Sequence, residues 1–231
     1  MKFFYPAVEY RRPWKLATLA AGICHEMKNP LQIIKTHAEF LPKRYDDPVF
    51  RANCSKALSA ETRRINDLLK QLMDFARPKS PKLQPLVPHD VLDSTLAMLN
   101  SEFIKRNIRL EKQLVSDGTK VKADSGRLRQ VILNLILNAL EAIGKDGAVR
   151  VRTSLQDGWF ILDVSDTGPG IDPKILPKLF EPFSTSKPEG NGLGLSIVHS
   201  IVREHGGKIS VESKRGQGAC FQVKLPLCET N

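Results

Sequence analysis

A histidine followed directly by a carboxylate, His25-Glu26, stands four residues before Asn29 in a run that ends at Pro30. Neutral imidazole is a nucleophile near physiological pH, and an adjacent carboxylate can take the proton the ring gives up when its nitrogen attacks phosphorus. Far along the chain, Asn134 and Asn138 are four apart among Val131, Ile132, Leu133, Leu135, Ile136 and Leu137. On a helix they share a face. An unpartnered buried carboxamide costs ~1–3 kcal/mol, so each needs a partner: local backbone, or a hydrated Mg2+ and the phosphates beside it. Asp166-Thr-Gly168-Pro-Gly170 follows a predicted strand. That places an acceptor carboxylate, able to take the exocyclic amine of adenine, at the strand end, with glycines where backbone passes close to a ligand. Gly190-Asn-Gly192-Leu193-Gly194 opens a predicted helix, and a glycine-rich loop running into a helix N-terminus can cradle phosphate. It is neither the P-loop nor the Rossmann pattern, since no strand immediately precedes it and no Gly-Lys-Ser/Thr follows. Between these loops, Phe180-Glu-Pro-Phe183 leads into a polar stretch that reads as a lid, with Phe183 a packing hinge and Lys187 a cation for a terminal phosphate. A nucleophilic histidine in one segment and a nucleotide pocket in another imply phosphoryl transfer to that histidine.

The elements that must position these groups fall into two sets. Apolar residues at Leu16, Ala20, Ile23, Met27, Pro30, Ile34, Ala38 and Leu41 recur at spacings of four and three, as do Cys54, Leu58, Glu61, Ile65, Leu68, Leu72 and Phe75, with Glu61 the one polar member. Both are coiled-coil-like stripes, separated by a turn at residues 42–48 that carries two prolines and two aspartates. The pattern predicts an antiparallel hairpin that cannot enclose its own core, so a homodimer forming a four-helix bundle is the natural way to cover both stripes. His25 and Asn29 share a face that is not the Ile23/Met27 stripe, so His25 is expected at the surface, with Pro30 loosening the helix one turn later. Pro78, Pro81, Pro85 and Pro88 then stop the second helix and read as a linker. Beyond it the pattern turns mixed. Helices are predicted at residues 90–106, 125–143 and 193–205, and strands at 108–113, 149–155, 159–164, 208–213 and 219–225. Gly216 and Gly218 read as a hairpin turn before the last strand.

Composition narrows the function classes. The 231 residues are 41% hydrophobic and 26% charged, ordinary for a soluble globular protein. The net charge of +10 is scattered rather than gathered into a block, and neither a C-x-x-C finger nor a basic region with a zipper is present, so no nucleic-acid partner is expected. An acidic protein or a polyphosphate explains the excess equally well. No apolar run reaches the ~18–20 residues of a membrane span, and the first residues lack the apolar core of a signal peptide. Cys24, Cys54, Cys220 and Cys228 have no metal-ligand spacing and are expected as reduced thiols in the cytosol.

Together these residues resemble the sensor histidine kinases of two-component signalling. The order of motifs is theirs: an H-box at 25–30, an N-box at 134–138, a first glycine box at 166–170, an F-box at 180–183 and a second glycine box at 190–194. The likeness covers about residues 15–227. It implies an α+β chain: a dimerisation and histidine-phosphotransfer hairpin over 1–76, a linker over 77–88, and an ATP-binding α/β sandwich of the GHKL (Bergerat) type over 89–231, the superfamily of Hsp90, gyrase B and MutL. It further implies ATP and Mg2+ as cofactors, and autophosphorylation of His25 with transfer to an aspartate of a response regulator. In those terms Glu26 is the assisting base, and Asn29 orients a water that dephosphorylates the regulator. Asn138 is the principal Mg2+ ligand with Asn134 beside it, and Asp166 reads adenine in a pocket shaped by Gly168 and Gly170. Phe183, Lys187, Gly190, Gly192, Leu193 and Gly194 manage the triphosphate under the lid. A cytoplasmic homodimer is implied.

Two departures carry information. Where many relatives have Gly-x-Gly-Thr before the last strand, this chain has Gly216-Gln-Gly218-Ala-Cys220, without the hydroxyl. At the first N-box position it has Asn134 rather than the glutamate that a GHKL ATPase needs to activate water, which favours phosphotransfer over hydrolysis. The short lid is like that of the nitrogen-regulation type of kinase. Only about 14 residues precede the H-box helix, too few for a sensor domain, so the chain is expected to be either part of a longer protein or a kinase whose input comes from elsewhere.

Overall fold

The structure is a computed structural model that describes residues 16–76, 81–115, 118–184 and 192–228, with backbone only for 16–26, 67 and 70–76. The chain divides into two compact units, a hairpin unit within Tyr10–Lys79 and a second unit that holds the chain from Ser80 onward. No helix among the described residues is long and apolar enough to cross a membrane.

The first unit is a helical hairpin of α1 (Leu16–Phe40) and α2 (Pro48–Ala76). Pro30 lies inside α1 and is buried, and the helix runs through it. The turn is built by Asp47, whose Oδ1 accepts the N–H groups of Val49 and Phe50, each at 3.0 Å, ahead of Pro48 at the first helical position. Arg44 holds the other carboxylate oxygen at 2.8 Å and lies 4.8 Å over the Phe50 ring. The donated backbone N–H of Phe50, foremost among these contacts, keeps the Asp47 carboxyl below its ordinary value. Cys54 and Leu68 of the second stripe are buried, whereas Leu31, Ile33, Phe40, Val49 and Leu69 are exposed.

The second unit is a five-stranded sheet covered on one face by helices. Its elements are β1 (Gln84–Leu86), α3 (Pro88–Met98), α4 (Asn100–Lys105), β2 (Ile108–Gln113), β3 (Val121–Ala123), α5 (Ser125–Ile143), β4 (Gly147–Gln156), β5 (Trp159–Asp166), α6 (Gly194–Glu204), β6 (Lys208–Ser213) and β7 (Ala219–Pro226). The sheet order is β2-β4-β5-β7-β6, with β2 parallel to β4 and the other pairs antiparallel. Strand alternation sends Val149, Val151, Phe160, Leu162, Val164, Phe221, Val223 and Leu225 inward to meet Leu92, Leu96, Leu135, Ile136, Val198 and Ile201 of the helices. A second, two-stranded sheet pairs β1 with β3.

One expectation is corrected. The helix predicted at 90–106 is broken into α3 and α4 at Leu99, whose φ of −93° and ψ of 0° turn the axis. Leu96, Leu99 and Phe103, at spacings of three and four, are all buried in the core across the break. The proline-rich stretch 77–88 contains strand β1, with Pro85 tolerated because the strand lies at the margin of a two-stranded sheet.

Candidate functional site

Helix α5 is the spine of the site. Asp124 caps it, its Oδ1 accepting the N–H groups of Gly126 at 3.0 Å and Arg127 at 3.1 Å. Leu135, Ile136, Ala139 and Leu140 face the core, while Asn134 and Asn138 are half-buried on the flank. Asn134, Asn138 and Ala142 follow at steps of four, so they mark one side of the helix over ~12 Å. Each end of that line meets a glycine loop. Asn134 Nδ2 donates to the carbonyl of Gly194 at 3.5 Å, and Gly194 is the first residue of α6. A Cβ on Gly168 would stand 2.8 Å from Asp166 Oδ1 and 3.1 Å from the Ala142 carbonyl carbon, so glycine lets that loop lie close on the helix without displacing either.

Asp166 ends β5 and is 9% exposed. Its Oδ1 accepts the N–H of Gly168 at 2.8 Å and that of Ala219 at 3.4 Å. These bonds hold the carboxylate at the mouth of the strand. The loop after it is tied to the β6–β7 turn: Gly216 N–H donates to the Pro169 carbonyl at 2.7 Å, and the Ser213 hydroxyl accepts from Ile171 N–H at 2.9 Å while donating to the Gly218 carbonyl at 2.8 Å. Gly170, at φ +73°, packs against the backbone of Lys214 and Arg215. Ser213 and Gly218 therefore support the site and were not among the sequence candidates. The signal was present as Gly216-Gln-Gly218, but a turn reading absorbed it.

On the other side, Phe183 N–H donates to the Gly192 carbonyl at 3.0 Å, and both residues have positive φ, +63°. Leu193 is buried and caps α6, and Phe180 stacks on His199 with ring centroids 5.6 Å apart. Burial, and then the charge of Arg203, push the His199 pKa below its ordinary value. Lys187 and Gly190 lie outside the described residues.

In the hairpin, Asn29 is exposed, four residues past His25 on the continuous α1. Positions 25 and 29 thus share a helical face. The side chains of His25 and Glu26, including the expected exposure of the histidine, lie outside the described residues.

A cavity of about 460 Å³ also borders Asp166, but its walls are Glu111, Arg150, Glu212, Lys214 and their neighbours, and none of Asn134, Asn138, Gly192 or Gly194 lines it. It is a groove apart from the line of candidates along α5.

Residues 15–81 match the model of the His Kinase A (phospho-acceptor) domain, and residues 123–229 that of the Histidine kinase-, DNA gyrase B-, and HSP90-like ATPase. The catalytic domain of histidine kinase ThkA, a solved structure, is 31% identical with a TM-score of 0.58; the match covers 62% of this chain and 95% of that one. The chain belongs to the sensor histidine kinase family. Among curated family members, Sensor histidine kinase ZraS of Escherichia coli K12 is 35% identical over 95% of this chain and 48% of its own length. Signal transduction histidine-protein kinase AtoS of the same organism is 33% identical over 92% of this chain and 35% of its own. The chain thus spans about half or less of the length of such relatives. ThkA in complex with response regulator protein TrrA superposes with a TM-score of 0.81 at 27% identity, covering 92% of this chain and 62% of that one. The α+β class and the GHKL-type architecture of this histidine kinase are those expected.

Proposed function

We propose that this chain is the core of an ATP-dependent protein-histidine kinase that phosphorylates His25 and passes the group to an aspartate on a response regulator. The observation that carries the reading is the line along α5: Asn134 meets Gly194, Asn138 lies one turn on, and Ala142 a turn further meets Gly168, whose N–H Asp166 accepts. Adenine would meet the Asp166 carboxylate, which can accept its exocyclic amine, and the phosphates would lie toward the N-terminus of α6, where backbone N–H groups and the helix dipole favour anions. The half-buried carboxamides of Asn134 and Asn138 fit Mg2+ between these ends; Asn138 would supply an oxygen ligand, and the ion would neutralise phosphate charge. Gly192 and Leu193 shape the approach to α6, and Phe183 with Lys187 and Gly190 forms the lid.

At His25 the neutral ring attacks the terminal phosphorus. A nitrogen–phosphorus bond forms as the bridging oxygen–phosphorus bond breaks, ADP leaves, and Glu26 takes the ring proton. Asn29 would orient a water for hydrolysis of the regulator's acyl phosphate. The exposed Leu31, Ile33, Phe40, Val49 and Leu69 support a homodimer in which a second hairpin covers them. We place the domain boundaries at 76 and 89, with 77–88 as the joint, and the core in the cytoplasm, where ATP and regulators are found.

The test is incubation of the purified chain with labelled ATP and Mg2+. Acid-labile, base-stable label is expected on the wild type, and none on His25→Ala, while nucleotide affinity changes by less than about twofold because binding and phosphoacceptance use separate residues. Label that persists in His25→Ala would overturn the assignment.

A further inference from the structure

The two helices that carry the nucleotide candidates are also joined at their far ends. The backbone N–H of Asp124 donates to His205 Nε2 at 3.0 Å, which makes Nε2 the unprotonated nitrogen. The proton therefore sits on Nδ1, which donates to the Ile201 carbonyl at 2.7 Å in the last turn of α6. His205 is buried, and both of its nitrogens are used. Asp124 in turn has a divided carboxylate. Oδ1 caps α5, and Oδ2 accepts the N–H of Lys82 at 2.9 Å, from a residue 42 positions earlier. Burial pushes the Asp124 carboxyl upward, but the N–H groups of Arg127, Lys82 and Gly126 outweigh it and hold it below its ordinary value. Two residues past Lys82, β1 begins to pair with β3, Gln84 opposite Ala123. The chain arriving from the hairpin is thus fastened to the residue that starts α5.

We propose that Asp124 and His205 are positioning residues for the phosphotransfer, a proposal that rests on the nucleotide reading above. From Asp124 to Asn134 is ten residues of helix, and from His205 back to Gly194 is eleven. At ~1.5 Å per residue both are about 15–17 Å. The two helices run antiparallel, touching at Asn134 and Gly194 at one end and at Asp124 and His205 at the other. Helices are stiff along their axes, so the register set at the Asp124–His205 junction is the register at which Asn134 meets Gly194. Through Oδ2 of Asp124 the same junction holds Lys82. In sequence, Lys82 follows six positions after Ala76, the end of α2. The junction therefore ties the placement of the nucleotide-binding loops to the chain that leads to His25.

Three variants separate the parts. Asp124→Asn keeps an oxygen for the cap, since Asn caps as well as Asp, but puts a donor where Lys82 N–H needs an acceptor. Hydrogen exchange at Lys82 to Leu86 is expected to rise, the ATP affinity to stay within about twofold, and the autophosphorylation rate at saturating ATP to fall ~5- to 10-fold. His205→Leu removes both ring bonds and is expected to weaken ATP binding ~10-fold, whereas His205→Gln, whose amide oxygen can accept from Asp124 N–H, restores most of it. Faster exchange in Asp124→Asn with an unchanged rate would overturn the coupling. His205→Gln as impaired as His205→Leu, or both like wild type, would overturn the register argument. Failure of the wild type to phosphorylate His25 would instead refute the kinase reading, and ATP affinity in the His205 pair would still decide the role of the junction.

Discussion

Gly218→Ala isolates the support behind Asp166, and Gly216→Ala is its internal control. Both glycines have φ near +79°, +78° at Gly216 and +79° at Gly218, in the left-handed region where an L side chain costs ~1–2 kcal/mol. Their surroundings differ. A Cβ on Gly216 meets nothing within 4 Å, whereas one on Gly218 overlaps the Asp166 carbonyl oxygen and stands 2.8 Å from its carbon and 3.3 Å from Oδ1. Gly216→Ala should therefore lose only the conformational cost of ~1–2 kcal/mol. Gly218→Ala adds a forced separation of β7 from the end of β5, worth a further ~1–3 kcal/mol as overpacking. The displaced atoms are those that aim the carboxylate. Losing a hydrogen bond to a charged group is worth ~1.5–3 kcal/mol, or roughly 10- to 150-fold in Kd. Urea unfolding followed by circular dichroism gives the first quantity, and anisotropy of a fluorescent ATP analogue, at a temperature where both variants are folded, gives the second. Equal nucleotide affinities for the two alanine variants would refute the claim that Gly218 holds Asp166 in place, whatever the stabilities.

Asn29→Ala should leave autophosphorylation within about twofold and lower dephosphorylation of a phosphorylated regulator ~10-fold or more, since its proposed work is to orient water; an unchanged dephosphorylation rate would remove that role. His199 is held neutral by burial, so its folded-state pKa lies below the unfolded value of about 6.5. Its contribution to stability is complete above 6.5 and is lost as pH falls through the folded pKa. The urea midpoint should thus drop between pH 7.5 and 5.5, and His199→Phe, which keeps a ring against Phe180, should flatten that drop; an equal drop in both proteins would show that another group titrates.

The elements whose patterns run long were legible. The stripe of α2, the alternation of β4, β5 and β7, and the run Leu133 to Leu137 on α5 each declare their period over many residues. What escaped was short or set by partners. β3 is three residues, buried-exposed-buried, and exists because β1 and the residues just past β7, Leu227 and Cys228, pair beside it. The break at Leu99 has no proline or glycine to announce it, and the apolar spacing of Leu96, Leu99 and Phe103 is that of one continuous helix. In the site, residue types with chemistry, such as Asp166 and the paired asparagines, stood out. Ser213 and Gly218 did not, because their work is to hold backbone, and only the fold shows whose.

The placement of the asparagines explains how a strongly apolar helix can carry them. On α5 the core is served by Val131, Ile132, Leu135, Ile136, Ala139 and Leu140, while positions 133, 134, 137 and 138 form a half-buried flank. Polar groups there keep access to partners without opening the core, so the desolvation cost of a fully buried carboxamide is avoided. The same arrangement means that the glycine loops do not reach the site independently. Gly194 is bound to α5 through Asn134, and Gly168 is packed against Ala142 two turns away. A shift of α5 along its axis would carry Asn134 and Asn138 past the N-terminus of α6 and past Asp166 together. Nucleotide affinity should then respond to substitutions at the far end of the helix, near Asp124, in proportion to how far they slide it, and not to how many contacts with the nucleotide they remove.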